Sequence, residues 1–173
     1  MNDDIEKIIK EEILRFELFN KEDDKRVDQI KELLYKSFYW TYSDMEGGLA
    51  AIENGNGYLL IIDDVVISCI FVFDEFDSHQ NKFAFLYSVA TDSNYRKRGH
   101  LTNLYKSFVR PNLMGNGYSG SVVTLTEDKM INFYESLNFR VTKVLPHQEP
   151  HVQMIDSFVP ELKTDLDVLT IVE

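Results

Sequence analysis

The chain has 173 residues, 44% of them hydrophobic and 13% aromatic, a length and composition that suit one domain with a substantial core. Its formal net charge of −11 argues against nucleic acid and anionic membrane surfaces, whose phosphates demand clustered Lys and Arg, and favours cationic partners. A single cysteine, Cys69, leaves no internal disulfide framework and points to a reducing cytoplasm.

Residues 1–10 are charged throughout and lack the apolar stretch of a signal peptide. No segment approaches the roughly 20 apolar residues of a membrane span. Ile5, Ile8, Ile9 and Ile13 recur at helical spacing and predict a short amphipathic helix. Residues 14–19 alternate with period two, as a strand does. The polar break at 20–24 offers caps for a helix over 25–38, with Val27, Ile30, Leu33, Leu34 and Phe38 on one face. Residues 44–53 read as another short helix, stopped by Asn54-Gly55-Asn56-Gly57. The β-branched runs 58–62 and 65–73, joined by Asp63-Asp64, read as a hairpin. Cys69 lies in the second run and reads as a small buried side chain.

Residues 83–91 predict a third long strand. A helix is predicted to begin near Gly99, carrying Leu101, Leu104, Tyr105 and Phe108, and to end at or just before Pro111. Strand 122–125, helix 130–137 and strands 139–145 and 152–159 follow, the last two joined through the 146–150 turn. The acidic tail 161–173 reads as an edge strand or a loosely ordered end. Such an order describes an α/β (α+β) protein with helices covering a largely antiparallel sheet.

The chemistry concentrates where a strand enters a basic turn that opens a helix. The first amides of a helix lack internal partners, and with the helix dipole they form an anion site. Gly99 allows close backbone approach, and Arg96, Lys97 and Arg98 concentrate positive charge in an acidic chain. The expected ligand is a phosphate or diphosphate. Neither a Walker loop nor a Gly-x-Gly-x-x-Gly fingerprint is present.

This stretch, Val89-Ala90-Thr91-Asp92-Ser93-Asn94-Tyr95-Arg96-Lys97-Arg98-Gly99-His100-Leu101, resembles the coenzyme A motif of the GNAT superfamily of N-acetyltransferases, Gln/Arg-x-x-Gly-x-Gly/Ala. Asn132-Phe133-Tyr134-Glu135-Ser136-Leu137-Asn138-Phe139 resembles the family's second motif, Phe-Tyr-Glu-x-Leu-Gly-Phe. The resemblance covers about residues 14–159. It implies a GNAT-like central sheet, twisted, mostly antiparallel and splayed at its centre. It implies one N-acetyltransferase domain over 1–173, with a helical extension to about residue 12 and an acidic tail from about residue 160.

The resemblance also implies roles. Acetyl-CoA is the expected cofactor, and a primary amine, free or on a peptide, the expected acceptor. Val89, Ala90 and Thr91 would meet the pantetheine arm through their main chain. Arg96, Lys97, Arg98, Gly99, His100, Leu101 and Thr102 would surround the diphosphate. Tyr134 would protonate the leaving thiolate, since a phenol is neutral at pH 7 and can donate. The amine would attack directly in a ternary complex, without Cys69. Glu75, Glu127 and Glu135 are base candidates beside a water chain, with Glu127 favoured because it follows strand 122–125. Leu101 departs from the family's Gly or Ala, Glu127 from its Asn, and Asn138 from its Gly. These departures leave open a non-catalytic acyl-CoA-binding or regulatory module. Residues 38–53 and 146–159, with Tyr39, Trp40 and Tyr42, are the expected acceptor walls. His147 and His151 show no metal-ligand spacing, and no metal site is expected. The 5–13 helix and the tail offer surfaces for a homodimer.

Overall fold

A computed structural model describes residues 13–38 and 55–170. The helices expected over 5–12 and 44–53, and Tyr39, Trp40 and Tyr42, lie outside those residues. In chain order the described elements are β1 (Leu14–Leu18), α1 (Asp24–Phe38), β2 (Asn56–Ile62), β3 (Val65–Phe76) and β4 (Lys82–Thr91). A short 3-10 turn (Ser93–Tyr95) leads into α2 (His100–Leu104), a π-helical turn (Tyr105–Val109) and α3 (Arg110–Gly115). β5 (Gly120–Leu125), α4 (Ile131–Ser136), β6 (Arg140–Val144) and β7 (Val152–Ser157) complete the chain. The strands form one sheet in the order β1-β2-β3-β4-β5-β7-β6, mostly antiparallel, with β4–β5 parallel.

The backbone falls into two compact units. Of the described residues, one comprises those up to Cys69 together with Ala90–Leu104, and the other comprises Ile70–Val89 and those from Tyr105 to Thr170. In the first, β1 pairs antiparallel with β2 from Leu14↔Ile62 to Leu18↔Tyr58. β2 is buried from Gly57 to Ile62, which is why its sequence is a continuous apolar run rather than an alternation. The turn to β3 holds Asp63 and Asp64 at φ 51° and 66°, the left-handed pair that a two-residue hairpin needs. Aspartate tolerates that conformation, and here its side chain is also used. Arg26 on α1 is buried, and its guanidinium grips Glu17 at 3.0 Å and Asp64 at 2.8 Å. Lys25 adds a second cation, and these partners hold the Asp64 carboxyl down at about 2.

In the second unit, β5 lies between β4 and β7. A Cβ on Gly120 would stand 2.6 Å from the carbonyl oxygen of Asp156, so the strands approach this closely only because the residue is glycine. The helix does not stop at Pro111, as its sequence suggests. The π turn widens the helix immediately beforehand, and α3 restarts with Pro111 in its first turn, where a missing N–H leaves nothing unpaired. Asp156, fully buried on β7, fastens that turn. It accepts from the Tyr105 hydroxyl at 2.5 Å and from Arg110 Nε at 2.9 Å.

The tail also differs from expectation. Over residues 160–170 it forms no strand, yet it is anchored. Leu166 joins Phe83, Val122 and Ile155 in a buried cluster, and Leu169 is buried too. Its alternating pattern is met by pockets and side-chain hydrogen bonds rather than by a ladder. No helix among the described residues is long and apolar enough to cross a membrane.

Candidate active site

The register of β4 and β5 sets the site. Pairing covers Phe83↔Gly120, Ala84↔Ser121 and Phe85↔Val122. β4 continues to Thr91 and β5 to Leu125, so both strands run on past the end of their pairing at Phe85. Past that point Ser88 takes a left-handed φ of 48°, a kink in the strand. Nothing in its sequence flags it except a polar residue in an apolar run. A β4 edge released from its parallel neighbour can offer main-chain groups to a ligand.

At the strand's end the structure rebuilds the predicted turn. Thr91 meets Ser68 through their hydroxyls at 2.9 Å, and the Asp92 amide donates to the Ile67 carbonyl at 2.8 Å. The Asp92 side chain caps the 3-10 turn by accepting from the Asn94 amide. Arg96 Nε donates back to the Thr91 carbonyl at 3.2 Å. Lys97 and Gly99 then adopt left-handed conformations, φ 63° and 77°, on either side of Arg98. A Cβ on Gly99 would meet nothing within 4 Å, so the glycine is there for its backbone, beside open space. The helix's Asn103 N–H to Gly99 C=O bond, 2.9 Å, leaves the amides of His100, Leu101 and Thr102 without intrahelical acceptors. Arg96, Lys97 and Arg98 are all exposed around it, and Arg98 also lies over the Tyr95 ring at 5.2 Å. His100 sits 6.1 Å from the same ring, and its buried Nε2 has no partner among the described residues. These donors suit a diphosphate.

Tyr134 occupies a different setting. It lies on α4, 7% exposed, between Phe133 and Phe139 with ring centroids at 5.1 and 5.4 Å. Burial pushes its phenol up to about 12. No hydrogen bond to its hydroxyl is found among the described residues. The helix ends in the pattern its sequence suggests. Asn138 is left-handed at φ 78°, and the amides of Asn138 and Phe139 bond back to Glu135 and Tyr134 at 3.0 Å each.

The carboxylate candidates differ in surroundings. Glu127 stands at the N-cap position of the turn before α4 without a side-chain capping bond, its side chain 57% exposed and paired with Lys129 at 2.8 Å. Glu75 is half-buried on β3 and Glu135 is exposed on α4. His151 Nε2 contacts Asp128 at 2.7 Å, which ties the β6–β7 connection to the turn before α4. Cys69 is buried, and burial pushes its thiol up to about 12, which suits a packing role.

Residues 17–139 match the acetyltransferase (GNAT) family. The chain belongs to the GNAT acetyltransferase family. This GNAT chain shares its fold with solved structures of low sequence identity. An aminoglycoside 6'-N-acetyltransferase complexed with coenzyme A superposes at a TM-score of 0.71, with 15% identity, over 86% of this chain and 99% of that one. A chain of the NatC complex bound to Gag peptide and CoA gives 0.68 and 12%, over 84% and 99%. A conserved protein of unknown function from Enterococcus faecalis V583 gives 0.65 and 18%, over 76% of this chain but only 33% of that one. No curated protein matches this GNAT chain in sequence.

Proposed function

We propose that the protein moves an acetyl group from acetyl-CoA to a primary amine by direct attack in a ternary complex. Acetyl-CoA is the cosubstrate that membership of the family brings with it, and the residues present fit it. The exposed Arg96-Lys97-Arg98 run, open space at Gly99 and the amides of 100–102, which have no intrahelical acceptors, would hold the diphosphate. The end of β4 at Val89, Ala90 and Thr91, past its paired stretch with β5, would meet the pantetheine arm through its main chain. The acceptor is a small amine or an amino group on a peptide, in keeping with the chain's acidity.

The observation that carries the chemistry is Tyr134, whose ring is buried between Phe133 and Phe139 and whose phenol is kept protonated by that burial. The amine nitrogen bonds to the acyl carbon, the carbon–sulfur bond breaks, and Tyr134 donates its proton toward the departing sulfur. A thiol titrates near 8.5, so full transfer from a phenol at about 12 is uphill by roughly 5 kcal/mol in the free protein. Tyr134 therefore acts first as a hydrogen-bond donor to the developing negative charge, and the proton follows as solvent restores the phenol. Glu127, directly or through water, takes the proton the amine must lose, through the carboxylate oxygen that the Lys129 pair leaves over.

One observation favours a second reading. Glu127 is spread on the surface in an ion pair, as a solvated side chain would be, and a chain without a working base would bind acetyl-CoA without turnover. Two measurements separate the readings. At one hundred times its dissociation constant, acetyl-CoA raises stability by about 2.7 kcal/mol, or about 5–10 °C in melting temperature for a chain of this size. No shift at millimolar acetyl-CoA overturns both readings. A shift without acetyl transfer to any member of a broad amine panel leaves only the binding module.

A further inference from the structure

Beyond the family chemistry, the structure clasps the chain's own tail in an unusual way. Residues 160–170 have no helix or strand, and ordering such a coil costs about 1–2 kcal/mol per residue in backbone entropy alone. Something specific must hold it. The centre of the grip is Gln153, a side chain 1% exposed in the middle of β7. Its Nε2 donates to the Leu166 carbonyl at 2.9 Å, and its Oε1 accepts from the Val168 amide at 2.7 Å. A primary amide offers the same donor and acceptor as a peptide bond, so Gln153 reads the tail's backbone as an adjacent strand would. Nε2 also reaches Thr142 Oγ1 at 3.0 Å, which fixes the amide's orientation.

Side-chain recognition flanks that point on both sides. Leu166 fills the cluster of Phe83, Val122 and Ile155, with Leu162 and Val168 beside it, and Leu169 is buried one turn of chain further on. Thr164 Oγ1 donates to Asp77 at 2.6 Å, and the Ser78 amide donates to Asp165 at 2.9 Å. Lys143 meets Asp167 and donates to Thr170 Oγ1 at 2.9 Å. Gln148 Nε2 donates to the Leu169 carbonyl at 2.8 Å. Backbone contacts at two points, apolar pockets at Leu166 and Leu169, and partners for two carboxylates form the pattern by which grooves bind extended peptides.

Gln153 is neutral, so departure of the tail would leave a wettable amide rather than a stranded charge. We propose that this face of β4, β5 and β7 is a peptide-binding groove, and that residues 162–170 are its displaceable built-in ligand. The groove's partner class is an extended acidic peptide with the spacing Thr-Asp-Leu-Asp-x-Leu, the spacing of residues 164–169.

The test keeps the full chain. A protease site is inserted between Pro160 and Glu161, in the exposed link before the tail; the chain is cut after folding and the freed tail is removed by extensive dialysis, and a tail that cannot be removed from the folded protein overturns the proposal. A fluorescein-labelled peptide of residues 161–173 is then titrated in. The expected result is saturable one-to-one uptake by the cut protein and at least tenfold weaker uptake by the uncut protein, whose groove is filled. A peptide carrying Leu166→Ala and Leu169→Ala should bind the cut protein at least tenfold more weakly, and cut protein carrying Gln153→Ala several-fold more weakly. The cut protein should keep its thermal shift with acetyl-CoA, so failure here is distinguishable from failure of the enzymatic reading. Loss of cooperative melting on cutting overturns the proposal, because the tail would then be part of the core. Equal uptake by cut and uncut protein overturns it as well, by placing the peptide elsewhere.

Discussion

In the proposed reaction the basic turn over residues 92–102 and the helix that carries Tyr134 would answer a similar demand, a hydrogen-bond donor for negative charge, by opposite means. The turn is exposed, and its donors are backbone amides made available by two left-handed residues and a helix start. Tyr134 is buried between two phenylalanines, and its donor is one hydroxyl kept protonated by desolvation. A diphosphate carries its charge at all times, so a solvated, permanently positive cradle suits it. A leaving sulfur acquires charge only as the bond breaks, so a neutral donor in a poorly solvated place suits it better.

That contrast can be broken most sharply at Tyr134. Tyr134→Phe is expected to lower kcat on the order of 100-fold while KM for acetyl-CoA stays within about twofold. Steady-state kinetics with a thiol-release assay reads both, and unchanged turnover removes the phenol from the chemistry. The alkaline limb of stability comes next. Desolvation lifts the phenol from 10.0 to about 12, so its contribution is whole below pH 10, where both states are protonated. It is lost as pH climbs toward 12, because the unfolded chain ionises first. The loss amounts to about 3 kcal/mol for a two-unit shift, and urea unfolding between pH 9 and 11.5 should show Tyr134→Phe blunting the decline.

At the turn the expected effects are smaller. A residue with a branched Cβ in a left-handed conformation costs about 1–2 kcal/mol, so Gly99→Val should weaken acetyl-CoA binding roughly 5–30-fold. Gly99→Asn should recover most of that, since asparagine tolerates the conformation and the space beside Gly99 is open. Equal losses in calorimetric titrations of the two variants would mean that the ligand, not the backbone, excludes a side chain. Glu127→Gln is expected to cost roughly tenfold in kcat/KM at pH 7, well under the usual contribution of a general base, because the carboxylate is exposed and shared with Lys129. The deficit should shrink as pH rises and more of the amine is already neutral. A flat ratio across pH would assign the proton to water instead.

Legibility in the sequence followed the range of the interactions. Local signals carried the hairpin at Asp63-Asp64, the helix start after Gly99 and the left-handed Asn138, because each is decided by backbone preferences within a few residues. Pro111 misled for the same reason. Its local meaning is a helix stop, and only the π turn fastened by Asp156, 51 residues away from Tyr105, lets the helix run on.

Sequence alone was sufficient to mark the family, since both motifs are short runs within the matched residues 17–139, and to place the turn and the Tyr134 helix as local elements. Tertiary structure alone decided which carboxylates are buried, where β4 leaves β5, and that the tail is clasped rather than paired as a strand. Those outcomes depend on desolvation, strand register and a buried glutamine reaching residues 13 and 15 positions away, and such contacts leave no periodicity in the chain.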